Sequence, residues 1–148
     1  MISARAFLSL AETWSRGRTE AEWRCAVSRA YYAAFHECRT TLVALGFVVP
    51  RADLAHAFLW RRLENSGHDH AIRIGTELSM LRRDRNRADY DLHTNVTQVV
   101  AFAAVGSATW IISTLENLTP DDRQKITEAM KIYERDVLRE TTWRNRPR

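Results

Sequence analysis

From Ile2 to Trp14 the apolar positions Ala6, Phe7, Leu10 and Trp14 recur at three- and four-residue spacings, which predicts a first amphipathic helix ended at Gly17. Thr19 and Glu22 then stand at capping-box spacing, where a hydroxyl and a carboxylate can each satisfy a free backbone N–H at a helix start. Trp23, Val27, Ala30, Tyr31, Ala34, Cys38, Leu42 and Leu45 trace one stripe over about six or seven turns, up to Gly46 as C-terminal cap. Alanines at 30, 33 and 34 leave room for a neighbouring helix beside the rings of Tyr31, Tyr32 and Phe35.

Pro50 marks a connection, and Asp53 is placed to cap a short third helix carrying Leu54, Phe58, Leu59 and Leu63, which Asn65 to Gly67 end. A fourth helix from about Asp69 sets Ile74, Leu78 and Leu81 on its buried side. Asn95 and Gln98 form a second capping-box pair, which predicts a fifth helix through Val99, Phe102, Ala103, Trp110 and Ile111 to about Asn117. Thr119, Pro120, Asp121 and Asp122 are a strong helix start: a hydroxyl cap, a proline where no donor is needed, and two acids at the positive end of the dipole. Ile126, Met130, Tyr133 and Val137 make that sixth helix amphipathic, and the WRNRPR tail after it reads as basic and mobile. The expected fold is all-α, an antiparallel bundle of five to six helices, with residues 119–148 as an additional helix and tail on a bundle formed by residues 1–118.

The totals agree with this reading. A chain of 148 residues fits one core, and five glycines and three prolines leave little material for many turns. The net charge of +4 sets 20 arginines and two lysines against 18 acids, so the excess is guanidinium and nucleic acid is a plausible partner. Cys25 and Cys38, about 20 Å apart along one helix, cannot bond to each other. No signal peptide is visible at the N-terminus, and the longest apolar run, Val99 to Ile112, is short for a membrane span and interrupted by Gly106 and Ser107, so the expectation is a cytoplasmic protein with no membrane contact. His68 and His70 flank Asp69 without a further ligand cluster, a pattern better read as a solvated helix start than as a metal site; no metal or cofactor is expected.

The densest chemistry lies in Leu81 to His93, LRRDRNRADYDLH, where Arg82, Arg83, Arg85 and Arg87 fall within six residues and His93 follows. Arginine is a permanent cation with a planar donor fork, and histidine can exchange a proton near neutral pH, a pairing suited to work on a phosphate. In one straight helix Arg87 and His93 would stand about 9 Å apart along the axis and about 120° apart around it, so sharing a phosphate needs a break near Asp91 and Leu92 or a second copy of the chain. A His93 near the start of the fifth helix would also meet a positive dipole end. The bland account is two ion pairs at helix spacing, Arg85 with Asp89 and Arg87 with Asp91, contributing about 0.3 to 0.5 kcal/mol each. Tyr32 and His36, one turn apart, are weaker candidates, and His56 reads as a partly buried helix residue.

SRAYYAAFHECRTTL, residues 28–42, followed by RRDRNRADYDL, residues 82–92, resembles the HEPN family (higher eukaryotes and prokaryotes nucleotide-binding), in particular its small bacterial branch with an RxxADY signature; the likeness spans roughly residues 3 to 118. The resemblance implies a helical bundle and a metal-independent endoribonuclease whose motif is an arginine, four to six residues and a histidine. Arg87 and His93 meet that spacing. It further implies activation of a ribose 2′-hydroxyl by His93, charge stabilisation by Arg87, a homodimeric composite cleft, and RNA contacts from Arg82, Arg83, Arg85, Asn86 and Tyr90. A toxin or effector of a bacterial toxin–antitoxin or defence system, partnered by a nucleotidyltransferase antitoxin or another subunit, follows from the same likeness. Family motifs commonly carry a polar residue after the arginine, which suits Arg85 and Asn86 and puts Tyr90 in the histidine place. That alternative leaves an inactive module that binds RNA or nucleotide, or acts as a scaffold.

Overall fold

Local side-chain chemistry sets several helix starts. The Thr19 hydroxyl accepts the Glu22 N–H at 3.3 Å and starts a helix over Glu20–Leu45, while the Glu22 carboxylate takes the Arg18 N–H at 2.7 Å. At its far end Gly46 adopts φ 109°, and the Phe47 N–H turns back to the Leu42 carbonyl, the left-handed close that only glycine makes without strain. Thr119 and Asp122 complete a reciprocal capping box, with Pro120 in the first helical turn.

The structure is a computed structural model that describes residues 1–144, and it is an all-α bundle. In order the helices are α1 (Ala4–Ser15), α2 (Glu20–Leu45), α3 (Leu54–Glu64), α4 (Asp69–Tyr90), α5 (Gln98–Glu116) and α6 (Pro120–Tyr133), which passes into a π-helical turn over Glu134–Leu138. Two compact units divide the chain. Met1–Glu37 with Glu77–Ser113 form one; Cys38–Thr76 with the described residues from Thr114 onward form the other, and α2, α4 and α5 each contribute to both.

The core of the first unit is Leu8, Val27, Tyr31 and Phe35 with Leu81, Ala104 and Ile111; alanines at 26, 30, 33, 34, 101, 104 and 108 are all buried. In the second unit Leu42, Phe47, Leu59, Leu63, Ile126 and Met130 are buried. Here Arg62 is 2% exposed yet fully engaged: its guanidinium lies 3.4 Å from the Phe58 ring centroid, donates to Glu134 Oε2 at 2.9 Å and to Glu140 Oε1 at 2.6 Å.

Several expectations are corrected. Asp53 caps nothing with its side chain, because its own backbone is already helical at φ −63°, and Leu54 points outward. The N-terminal cap of α5 is Thr97, whose hydroxyl accepts the Val100 N–H at 3.3 Å; Asn95 lies outside the helix and Gln98 reaches back to the Ser15 carbonyl at 3.0 Å. Along α5 Val99 and Phe102 face outward while Ala101, Ala104, Ala108, Ile111, Ile112 and Leu115 are buried. By length and composition α5, with 19 residues and mean hydropathy 1.5, is the one described helix able to cross a membrane, though its alanine and isoleucine face packs as core. Val137 is exposed. The start of the tail is docked rather than loose: Trp143 pairs with Phe47 in an antiparallel bridge, its indole N–H donates to the Leu45 carbonyl at 3.0 Å, and Lys131 sits 4.1 Å from its ring. Residues 145–148 lie outside the described residues.

Candidate functional site

The fourth helix stops at Tyr90, so the chain does break one residue before Asp91. Its last carbonyls need donors, and Arg24 on α2 supplies them. One guanidinium donates from Nη1 to the carbonyls of Ala88 and Asp91, each at 2.9 Å, and of Arg87 at 3.3 Å, and from Nη2 to that of Thr94. Glu20 holds the other edge of the same guanidinium at 2.9–3.0 Å and accepts the Val96 N–H at 3.1 Å. That N–H, then Arg24, keeps the Glu20 carboxyl below the ordinary carboxylate range. A cation on the C-terminal carbonyls also complements the helix dipole.

Asp91 shapes the turn that follows. Its Oδ1 accepts the His93 N–H at 3.1 Å and its Oδ2 accepts the Thr94 hydroxyl. The Thr94 hydroxyl first, then the His93 and Thr94 N–H groups, hold this carboxyl below its ordinary value. Asp91 is thereby spent on the turn, and the expected Arg87–Asp91 ion pair does not form among the described contacts. His93 rides on the turn, exposed, five residues ahead of Gln98. It therefore stands outside the first turn of α5, because the cap moved to Thr97.

The four arginines separate by helix face. Arg85 turns inward: its Nε lies 3.1 Å from Asp89 Oδ2, Nη1 donates to Asn86 Oδ1 at 2.7 Å and Nη2 to the Tyr32 hydroxyl at 2.5 Å, with its guanidinium 5.1 Å from the Tyr32 ring and 5.4 Å from the Tyr90 ring. Arg82 is half-buried, its Nε shielded without an acceptor among the described residues. Arg83 and Arg87 are exposed, as are Asn86 and Tyr90, the last at 72%. Burial pushes the Asp84 carboxyl above its ordinary value, against the pull of Arg87 and Arg83.

The structure therefore brings Arg85, Asn86, Tyr90 and Tyr32 into one network, and leaves Arg87, in the last turns of α4, and His93, on the turn after it, exposed. His36 stacks with Phe7 at 5.1 Å and Tyr32 at 6.3 Å and is half-buried. His68 closes the start of α4, accepting the Ala71 N–H at Nδ1 and meeting Asp122 from Nε2 at 3.2 Å, and no metal-binding cluster occurs among the described residues. Arg24 and Glu20 escape sequence reasoning: an i, i+4 pair on a helix gives no sign of carbonyls more than 60 residues away. Comparison with protein-family models, with curated proteins and with solved structures gave no match.

Proposed function

We propose that the chain is a HEPN-type metal-independent endoribonuclease, a toxin or effector of a bacterial toxin–antitoxin or defence system, acting in the cytoplasm as a homodimer beside a nucleotidyltransferase antitoxin or another subunit. The observation that carries this reading is the exposure of Arg87 and His93, neither of whose side chains makes a hydrogen bond or close ion pair among the described contacts, beside a turn pinned by Arg24 and Asp91. An exposed guanidinium and an exposed imidazole beside a fixed turn are what phosphodiester chemistry needs.

In the proposed reaction His93 takes the proton of a ribose 2′-hydroxyl, and the O2′–P bond forms as the P–O5′ bond breaks. Arg87 donates to the non-bridging oxygens, and water or the second copy's imidazolium protonates the leaving 5′-oxygen. The products are a 2′,3′-cyclic phosphate and a 5′-hydroxyl. Arg83 and Tyr90, both exposed on α4, would hold flanking RNA.

A second reading, a non-catalytic HEPN module for RNA, nucleotide or scaffolding, is favoured by the engagement of Arg85 with Asn86, Asp89 and both tyrosines. Incubation of RNA with the protein in EDTA separates the two. The nuclease reading expects cleavage that survives the chelator and falls about 10²- to 10⁴-fold in Arg87→Ala and in His93→Ala. Cleavage lost in Arg85→Ala but kept in His93→Ala moves the motif to Arg85, and no cleavage by wild type leaves the binding module.

A further inference from the structure

In the first unit a cleft of about 300 Å³ opens beside α4, lined by Leu10, Trp14, Cys25, Ser28, Arg29 and Asp89. Its chemistry is uneven. Leu10 and Trp14 give an apolar, aromatic wall, and Arg29 brings a cation held 5.2 Å from the Tyr32 ring. Asp89 is the directional group. Its Oδ2 accepts the buried Ser28 hydroxyl at 3.0 Å and lies 3.1 Å from Arg85 Nε in an ion pair without a hydrogen bond, whereas no contact to Oδ1 occurs among the described residues. A side chain 29% exposed and locked through one oxygen thus offers the other as a fixed acceptor.

We infer that this cleft is a guanine-binding subsite, in which Trp14 stacks on the base, Asp89 Oδ1 accepts from its Watson–Crick edge and Arg29 meets a phosphate. The volume sits at the low end for ligand sites, enough for one nucleotide. An aromatic wall accepts any base, so the carboxylate decides between them. Guanine alone presents adjacent N–H donors, N1 and N2, that can converge on one oxygen. Adenine and cytosine place an acceptor nitrogen next to their amino group, and uracil flanks its single donor with two carbonyls, each repelled by the carboxylate.

This subsite rests on the RNA-cleaving reading for its source of guanine, a nucleotide within a strand. Asp89 and Arg87 diverge by about 160° around α4, so the bound base belongs to a flanking nucleotide and not to the phosphate that Arg87 meets.

Cys25, exposed in the cleft, and Cys38, buried, make a built-in assay. With iodoacetamide and the intact protein, GMP at about three times its dissociation constant should slow alkylation of Cys25 about fourfold, as simple competition requires. AMP, CMP and UMP at the same concentration should leave the rate unchanged. A short single-stranded RNA containing guanosine should protect at lower concentration than GMP, and its adenosine counterpart should not. Asp89→Asn should abolish GMP protection, with Cys38 remaining unreactive as proof of folding; Trp14→Leu gives a second variant with the same expectation. Equal protection by all four nucleotides, or none by GMP, overturns the subsite, and protection by GMP but not by the guanosine RNA overturns its assignment to a strand. These outcomes are read without cleavage, so an inactive protein that GMP protects sinks the nuclease and keeps the subsite, and an active one that GMP does not protect does the reverse.

Discussion

At the scale of single residues, two charged side chains act against the usual rule that charge stays in water. Asp84 has its carboxyl raised by burial, so between its unfolded value of about 3.9 and its higher folded value the native state binds more protons. Stability conferred by this residue therefore falls as pH rises through that window. Asp84→Asn should be more stable than wild type at neutral pH, and the advantage should vanish below about pH 4, as urea midpoints across pH would show. Arg62 poses the opposite case. Arg62→Met leaves Glu134 buried without its cation and should cost about 3 to 5 kcal/mol by urea unfolding, and adding Glu134→Gln should recover part of that loss. Neither environment is written in the local sequence, where Asp84 lies in a charged run and Arg62 beside another arginine.

At the scale of elements, the end of α4 depends on a side chain from α2. Arg24 satisfies four carbonyls at once, so Arg24→Gln should leave several without donors and free the turn that carries His93. Faster amide hydrogen exchange at His93 and Thr94, with the α6 amides unchanged, is the expected signature. Lowering the pH through the depressed folded value of Asp91 should loosen the same turn. Its contribution is present above the unfolded value and is lost on protonation. Helix existence was legible throughout, because stripes such as Val27, Tyr31, Ala34, Cys38 and Leu42 are local and periodic. Caps were legible where the hydroxyl competes with nothing, as at Thr119, and misread where several polar residues adjoin: Asn95, Thr97 and Gln98 offer three starts, and Gln98 is drawn off by the Ser15 carbonyl.

For the whole molecule, the +4 charge is almost all guanidinium, and Arg83 and Arg87 are exposed on α4, with Asp84 as their electrostatic neighbour. RNA affinity, measured by fluorescence anisotropy, should fall as salt rises, with log K linear in log salt. Replacing either arginine should reduce the slope by about 0.7, the value for one phosphate contact on a single strand. The candidate site itself was half legible. The cluster of arginines with a following histidine is a compositional signal, whereas the division of those arginines into an engaged Arg85 and an exposed Arg87 depends on which helix face meets Tyr32.

By itself the sequence determined the helical class, the approximate span of every helix and the segment in which the chemistry is concentrated, since periodicity, glycine conformation and hydroxyl caps act within a turn or two of the chain. Only the tertiary structure decided that Arg24 would hold the break after Tyr90, that Asp91 would serve the turn, that Asp89 would meet Ser28 at the edge of a cleft and that Trp143 would dock on Phe47. Each of these joins groups far apart in the chain or selects one partner among several, and such choices are made by packing and by the need to satisfy buried polar atoms.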